Sequence, residues 1–141
     1  ASEKILIRQV GKYPICALDD TQLYSLNTIF NAVIISEGFT TKYVLGILNS
    51  SLVRHLWNRL FPEIKDVFPR VKKEQLVEIP ICRPNRTQLR QMEKLVDKAT
   101  GARLHDRKAD TTNIDVEIDQ LVYALYGLTP EEIATIESVA K

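Results

Sequence analysis

A long amphipathic helix is the predicted element that most constrains the fold of this chain. Between Lys42 and Leu60, apolar side chains recur every three or four residues, which is the spacing of one helical face. The face consists of Val44, Leu45, Leu48, Leu52, Leu56 and Leu60, widened by Ile47, Val53 and Trp57. Because such a face must be buried against another element, the sequence predicts that this helix packs on a sheet.

The ends of this helix and its polar face also follow from the sequence. Thr40 or Thr41 can cap the first turn, because a threonine hydroxyl accepts a hydrogen bond from an unpaired backbone N–H there. Pro62 ends the helix. The residues at three-and-four spacing on the opposite side are predicted to face solvent: Ser51, Arg54 and Asn58.

The sheet is predicted from the first 36 residues. Residues 4–10, KILIRQV, alternate as a strand does, with Ile5 and Ile7 on one face. Gly11 and Lys12 predict a hairpin turn into a second strand at residues 13–18, YPICAL. Residues 23–36 are rich in β-branched and aromatic side chains and predict one or two further strands.

The second half of the chain predicts helices. From Thr87 an apolar seam runs through Leu89, Met92, Val96 and Ala99, and Asn85 with Gln88 can form a capping box. A polar loop is predicted at residues 105–113, then a helix from near Ile114 to a stop at Gly127. The run Thr129-Pro130-Glu131-Glu132 predicts the start of a last helix. Before this half, residues 74–81 predict a short helix or strand that ends at Pro80.

These patterns predict an α+β fold: a small mixed or antiparallel sheet with a packed amphipathic helix, followed by a helical C-terminal region. Residues 1–86 are expected to form an α/β lobe, and residues 87–141 a helical extension for spacing or docking. The chain does not begin with Met, and a strand is predicted from residue 4. We therefore expect a domain of a longer protein.

The net charge of +1 conceals an asymmetry between the two parts. Residues 1–86 hold 12 Lys and Arg against 8 Asp and Glu, a balance of +4, whereas residues 87–141 hold 7 against 10, a balance of −3. The stretch Arg54–Lys73 alone carries six basic and two acidic residues. Such a surface predicts an anionic partner, although a solvated charge run remains an open alternative.

Nucleic acid is the anion that best fits the residues around these charges. Arg and Lys neutralise phosphates, and Arg and Gln can make paired hydrogen bonds to guanine and adenine edges. Two groups are candidates for DNA binding, one at the end of the first strand and one in or beside the loop between two prolines: Arg8, Gln9 and Lys12, then Lys65, Arg70, Lys72 and Lys73.

Catalytic and membrane functions find little support in the sequence. His55 and His105 lie 50 positions apart and belong to no metal-ligand spacing, and five glycines leave little room for a phosphate-binding loop. Cys16 and Cys82 lie 66 positions apart in apolar contexts, which predicts reduced thiols in a cytoplasmic protein. No apolar run approaches the roughly 20 residues of a membrane-spanning helix. We expect no catalytic residue and no metal site in this chain.

Three segments follow one another in a recognisable order. They are KILIRQVGKYPICALDDTQLYSLNTIFNAVI, then KYVLGILNSSLVRHLW, then VFPRVKKEQLVEIPI. In this order they resemble the TaqI-like specificity domain, the target-recognition module at the C-terminal side of adenine-specific DNA methyltransferases and of fused type IIG restriction–modification enzymes. The tail IDQLVYALYGLTPEEIATIE looks like the helical ending of the same enzymes.

The resemblance implies that this piece grips duplex DNA and reads a short sequence while another domain reacts. Its partners would be double-stranded DNA and an upstream methyltransferase domain of the same chain, which would bind S-adenosylmethionine; this fragment itself would hold no cofactor. A homodimer through the helices is a further expectation. The residues that match the family signature are expected to be scaffold, and Asn49 and Ser50 among them to satisfy nearby backbone groups: Leu48, Asn49, Ser50, Phe68, Pro69, Ile79 and Pro80.

Two other functions stay open at this point. A type I specificity-subunit fragment would also recognise DNA but would recruit separate methylating subunits. A protein–protein interaction module would instead use the amphipathic helices for association.

Overall fold

The computed structural model describes residues 4–8, 14, 16–19, 29–34, 37–61, 71–106, 108 and 110–139. Its strands form one antiparallel sheet in the order β2-β1-β3, with β1 (Lys4–Arg8) between β2 (Cys16–Asp19) and β3 (Ile29–Ala32). Ile7 lies opposite Cys16 on one side and Phe30 on the other. The first strand and its antiparallel pairing with the second are confirmed, and the predicted turn at Gly11 and Lys12 lies outside the described residues.

The predicted single helix is wrong, because the structure divides it in two. α1 spans Thr41–Leu48 and α2 spans Ser51–Leu60. Ser50 has an extended backbone, with φ −74° and ψ 160°, and its hydroxyl caps α2 by accepting a hydrogen bond from Val53 N–H. The apolar spacing continues across residues 49 and 50, so the sequence pattern could not reveal the break between the two helices. Thr40 caps α1 as predicted, accepting from Tyr43 N–H at 3.3 Å.

In the described part of the chain four more helices follow: α3 (Lys73–Leu76), α4 (Arg86–His105), α5 (Thr112–Leu125) and α6 (Pro130–Val139). Two of them, α4 and α6, begin at their predicted caps. Asn85 and Gln88 form the expected capping box of α4. Gly127, with φ +63°, ends the turn after α5 in a conformation that favours glycine. Thr129 and Glu132 exchange the two hydrogen bonds that open α6.

One hydrophobic core joins the sheet to the helices. Ile5 and Ile7, the inward pair of β1, are 0% and 3% exposed, as their alternation predicts. They belong to the same buried cluster as Ile47 of α1, Met92 of α4 and Val122 of α5. The α+β prediction is confirmed. The division of the chain at residue 86 stays a prediction, and the described core is continuous across that residue. None of the helices in the described part of the chain is long and apolar enough to span a membrane.

Gly46 allows α4 to approach α1 closely, and this contact gives a first test of the packing. A methyl group added to Gly46 would overlap Met92 Sδ and lie 3.2 Å from Val96 Cγ2. Because Met92 is fully buried, it has little room to move. We expect Gly46→Ala to lower the free energy of unfolding by about 1–3 kcal/mol, measured by urea denaturation.

Gly101 of α4 is the matched control, since a methyl group there meets no atom within 4 Å. Gly101→Ala should raise stability by about 0.5–1 kcal/mol, because glycine disfavours a helix. Equal stability of Gly46→Ala and the native chain would contradict the close packing.

Candidate nucleic-acid interface

The first group of predicted DNA-binding residues begins at the last residue of β1. Arg8 is the last residue of β1, opposite Ile29 of β3. The structure describes the backbone of Arg8, and Gln9 and Lys12 lie outside the described residues. The chain re-enters the described structure at the buried Pro14 and begins β2 at Cys16. The structure therefore describes both ends of the segment that carries Gln9 and Lys12.

Asn49 holds the start of β2. Its Nδ2 donates to the carbonyl oxygen of Cys16 at 3.0 Å, and Cys16 N–H donates to Asn49 Oδ1 at 3.1 Å. Among the described strands β2 lies at the edge of the sheet, so its outer backbone groups pair with no described strand. A side-chain amide has one donor and one acceptor side, as a peptide group does, and it pairs with both groups at once. The expectation that Asn49 satisfies backbone groups is confirmed.

The start of α2 is joined to α5 by the carboxylate of Asp119. Ser51 donates to both oxygens of Asp119, from its N–H at 2.9 Å and from its hydroxyl at 2.7 Å. A negative charge at the start of α2 is favourable, because the first backbone N–H groups of a helix carry partial positive charge. The prediction that Ser51 faces solvent is wrong. No local pattern in the sequence links Asp119 to a residue 68 positions away, so periodicity alone could not find this contact.

Ser50 completes this arrangement at the α1–α2 break. Its hydroxyl donates to the carbonyl oxygen of Ile47 at 2.6 Å while accepting from Val53 N–H at 3.3 Å. Ser50 is 3% exposed. Both of its hydrogen bonds are to the backbone, so its predicted scaffold role is confirmed. Asn49, Ser50 and Ser51 therefore each bind a different part of the chain: the sheet, the helix ends and α5.

The second group of predicted DNA-binding residues surrounds the start of α3. Lys65 and Arg70 lie outside the described residues, and the structure describes only the backbone of Lys73, the first residue of α3. Lys72 is exposed, and its N–H donates to Gln75 Oε1 at 2.9 Å. Its neighbour Val71 is 2% exposed and belongs to the main core, as does Ile7 beside Arg8.

The described members of the two groups therefore lie at different places: Arg8 ends β1, and Lys72 and Lys73 lie at the start of α3. Among the described residues no hydrogen bond or ion pair brings them together. DNA binding by the seven residues stays a prediction.

The family-like segment that ends at Pro80 is held by two tyrosines. Tyr126 donates from its hydroxyl to the carbonyl oxygen of Pro80 at 2.6 Å and accepts from Cys82 N–H at 3.1 Å. Tyr43 donates to the carbonyl oxygen of Cys82. Burial raises the pKa of both Tyr43 and Tyr126, so the phenols stay protonated and available as donors.

A groove of about 520 Å³ lies beside the α1–α2 junction and includes Cys16, Asn49 and Asp119 in its lining. Burial raises the pKa of the Cys16 thiol to about 12, so it is not an activated nucleophile at neutral pH. A second acid in the lining, Asp115, accepts from the hydroxyl of Thr111 at 3.1 Å. Both carboxylates in the groove therefore hold helix starts.

More than half of the chain matches a known protein family. A family model described as the TaqI-like C-terminal specificity domain matches residues 1–81. The matched part contains the sheet, α1, α2 and α3, and it ends directly after Pro80, where Tyr126 binds. No curated protein matches the chain.

Proposed function

Because the chain belongs to the family of TaqI-like C-terminal specificity domains, we propose that it recognises a short duplex DNA sequence for a restriction–modification enzyme. The match over residues 1–81 is the observation that carries this proposal. The finer proposal is that the parent is a bacterial adenine-specific methyltransferase, alone or as a type IIG enzyme fused to an endonuclease. The chain would then position DNA without reacting with it.

The residues that hold the two strands β1 and β2 in place are consistent with this role. Reading a base requires a side chain held in one place, because each paired hydrogen bond to a base edge depends on geometry. The Asn49–Cys16 pair holds the start of β2, and the buried Ile7 holds the end of β1. Arg8, Gln9 and Lys12 would read bases or contact phosphates from this supported segment.

The second group would act mainly on the DNA backbone. Lys65, Arg70, Lys72 and Lys73 would neutralise phosphates, which fixes the position of a protein on a duplex without reading sequence. An upstream methyltransferase domain that binds S-adenosylmethionine would flip the target adenine out of the duplex. The recognition domain would supply the sequence choice that makes this flipping site-specific.

Salt-dependent binding to duplex DNA tests the proposal. The 141-residue chain should select a short common sequence from a pool of random duplexes, and its affinity should fall steeply with salt. The triple variant Arg70→Gln, Lys72→Gln, Lys73→Gln should reduce the slope of log affinity against log salt by about 0.9 for each phosphate that is no longer neutralised. Fluorescence anisotropy from about 50 to 200 mM salt covers the range in which such charges change affinity most measurably.

Lys108→Gln is the control, since Lys108 is an exposed cation in the loop between α4 and α5. It should leave the slope unchanged. A native chain that binds no duplex at low salt, or binds every sequence equally, would refute target recognition. A tight dimer without DNA binding would instead favour a protein–protein module.

A further inference from the structure

Helix α4 carries a row of basic residues that lies outside the family-matched part. A basic residue occupies every fourth position from residue 86 to residue 98, and all four are exposed: Arg86, Arg90, Lys94 and Lys98. Steps of four advance about 40° around a helix, so the row forms one band. The band lies opposite the buried residues Met92, Val96 and Ala99. We call these four residues the basic stripe.

The stripe is not neutralised by its surroundings in the described structure. No hydrogen bond or ion pair joins its four side chains to another described residue. Asp97, an acid close to the same face, pairs with Lys42 of α1 at 2.7 Å, so its charge is already balanced. Glu117 lines a groove together with Lys94 but makes no ion pair with it. None of the four positive charges of the stripe is therefore in a described ion pair, although Glu93 of α4 lies three positions after Arg90 at the edge of the same face.

Charge is separated sharply within the helical region. α4 holds five Lys and Arg against two acids, a balance of +3, whereas residues 112–139, which contain α5 and α6, hold six acids and no Lys or Arg. The overall balance of −3 for residues 87–141 thus hides a basic helix that is followed along the chain by two acidic ones. A polyanion would be attracted to the exposed side of α4 and repelled from α5 and α6.

The chemistry of the stripe favours a nucleic acid over a protein partner. Protein interfaces are built around apolar residues and are depleted of lysine at their centres, whereas interfaces with DNA are strongly positive. Of the exposed large apolar residues in the described structure, α4 carries only Leu104, six positions beyond Lys98. The stripe extends for about 18 Å at 1.5 Å per residue, a length over which a duplex presents several phosphates.

We propose that the basic stripe is a second DNA-binding surface, which contacts the sugar–phosphate backbone beside the sequence read by the family-matched part. This inference rests on the proposed function. α4 is suited to such a contact because its position is fixed before DNA arrives: it is capped by Asn85 and Gln88, and Met92 and Val96 pack against Gly46 of α1. The helical extension would then enlarge the grip on DNA as well as space or dock domains.

The test replaces all four stripe residues with glutamine in the 141-residue chain. Glutamine is a good helix former, so exposed positions of α4 should tolerate it, and thermal unfolding should stay close to that of the native chain. Each phosphate that is no longer neutralised reduces the salt slope by about 0.9, so we expect a reduction of about 2 to 4. Affinity for a duplex at about 0.1 M salt should fall at least about 50-fold, because the loss of two phosphate contacts alone lowers the binding constant by about that factor.

A charge-retaining variant is the matched control. Arg86→Lys, Arg90→Lys, Lys94→Arg and Lys98→Arg together keep every positive charge, and this protein should bind with the native salt slope. Loss of binding in both variants would indicate recognition of side-chain shape and would overturn a phosphate contact. Sequence preference should be the same in the native chain and the glutamine variant, because phosphates carry no sequence information.

Three further outcomes distinguish failure of the stripe inference from failure of the proposed DNA recognition. If the native chain binds no duplex, both fail. If the native chain binds and the substitutions at residues 70, 72 and 73 reduce its slope, but the glutamine variant binds as the native chain does, only the stripe inference fails. If the glutamine variant binds DNA normally but loses self-association measured by sedimentation, the stripe is a protein contact and the inference is overturned.

Discussion

Asn49→Ala should destabilise the chain by about 1–3 kcal/mol and weaken DNA binding by more than the loss of folded protein explains. The substitution leaves both the N–H and the carbonyl of Cys16 without their partner. Cys16 is 8% exposed but Asn49 is exposed, so water reaches part of the site and each lost hydrogen bond costs about 0.5–1.5 kcal/mol. The free energy of unfolding from urea titration, and duplex affinity measured where the variant is still folded, test the two effects.

Asn58→Ala is the matched control for this prediction. Asn58 lies on α2 and is exposed, so its replacement should change stability by less than about 0.5 kcal/mol. Asn49→Ala behaving like Asn58→Ala would show that the Cys16 pair contributes little. Normal stability with loss of DNA binding would indicate that Asn49 contacts DNA itself, contrary to its scaffold role.

A chain ended after Arg86 should not fold cooperatively. The truncation removes seven described residues of the shared core that are at most 9% exposed, from α4, α5 and α6: Met92, Val96, Ile118, Val122, Tyr123, Leu125 and Ile136. At about 1.5–3 kcal/mol for each buried side chain, the loss is comparable with the whole stability of a domain, about 5–15 kcal/mol. It also removes Asp119 from the start of α2. Near-ultraviolet circular dichroism and thermal unfolding of residues 1–86 measure the outcome.

Adding residues 87–141 as a separate peptide is the control for this truncation. Because the two parts are joined mainly by buried side chains and a few hydrogen bonds, the peptide should restore cooperative unfolding. A fragment of residues 1–86 that unfolds at the same temperature as the full chain would show that the two predicted parts are independent domains.

Local signals in the sequence predict the caps and the inward face of β1 correctly, whereas Leu60, placed on the buried face of the first helix, is 51% exposed. Thr40, the Asn85–Gln88 capping box and the Thr129–Glu132 pair each depend on residues three positions apart, so neighbours alone decide them. The burial of Ile5 and Ile7 follows from the alternation of a strand. The basic stripe was not predicted from the sequence, because residues 87–141 are acidic as a whole. Its four cations form one surface only once the exposed face of α4 is known.

The sequence by itself determined the α+β class, the family and the ends of most helices, because these depend on periodicity, short-range capping and motif order. Only the tertiary structure decided that the helix breaks at Asn49 and that Ser51 meets Asp119. It also showed one buried cluster that includes described residues from both sides of residue 86. Asn49 reaches Cys16 across 33 positions and Ser51 reaches Asp119 across 68. The physical reason is that a polar side chain bonds whichever unpaired group the folded chain brings to it, and no local pattern records that partner.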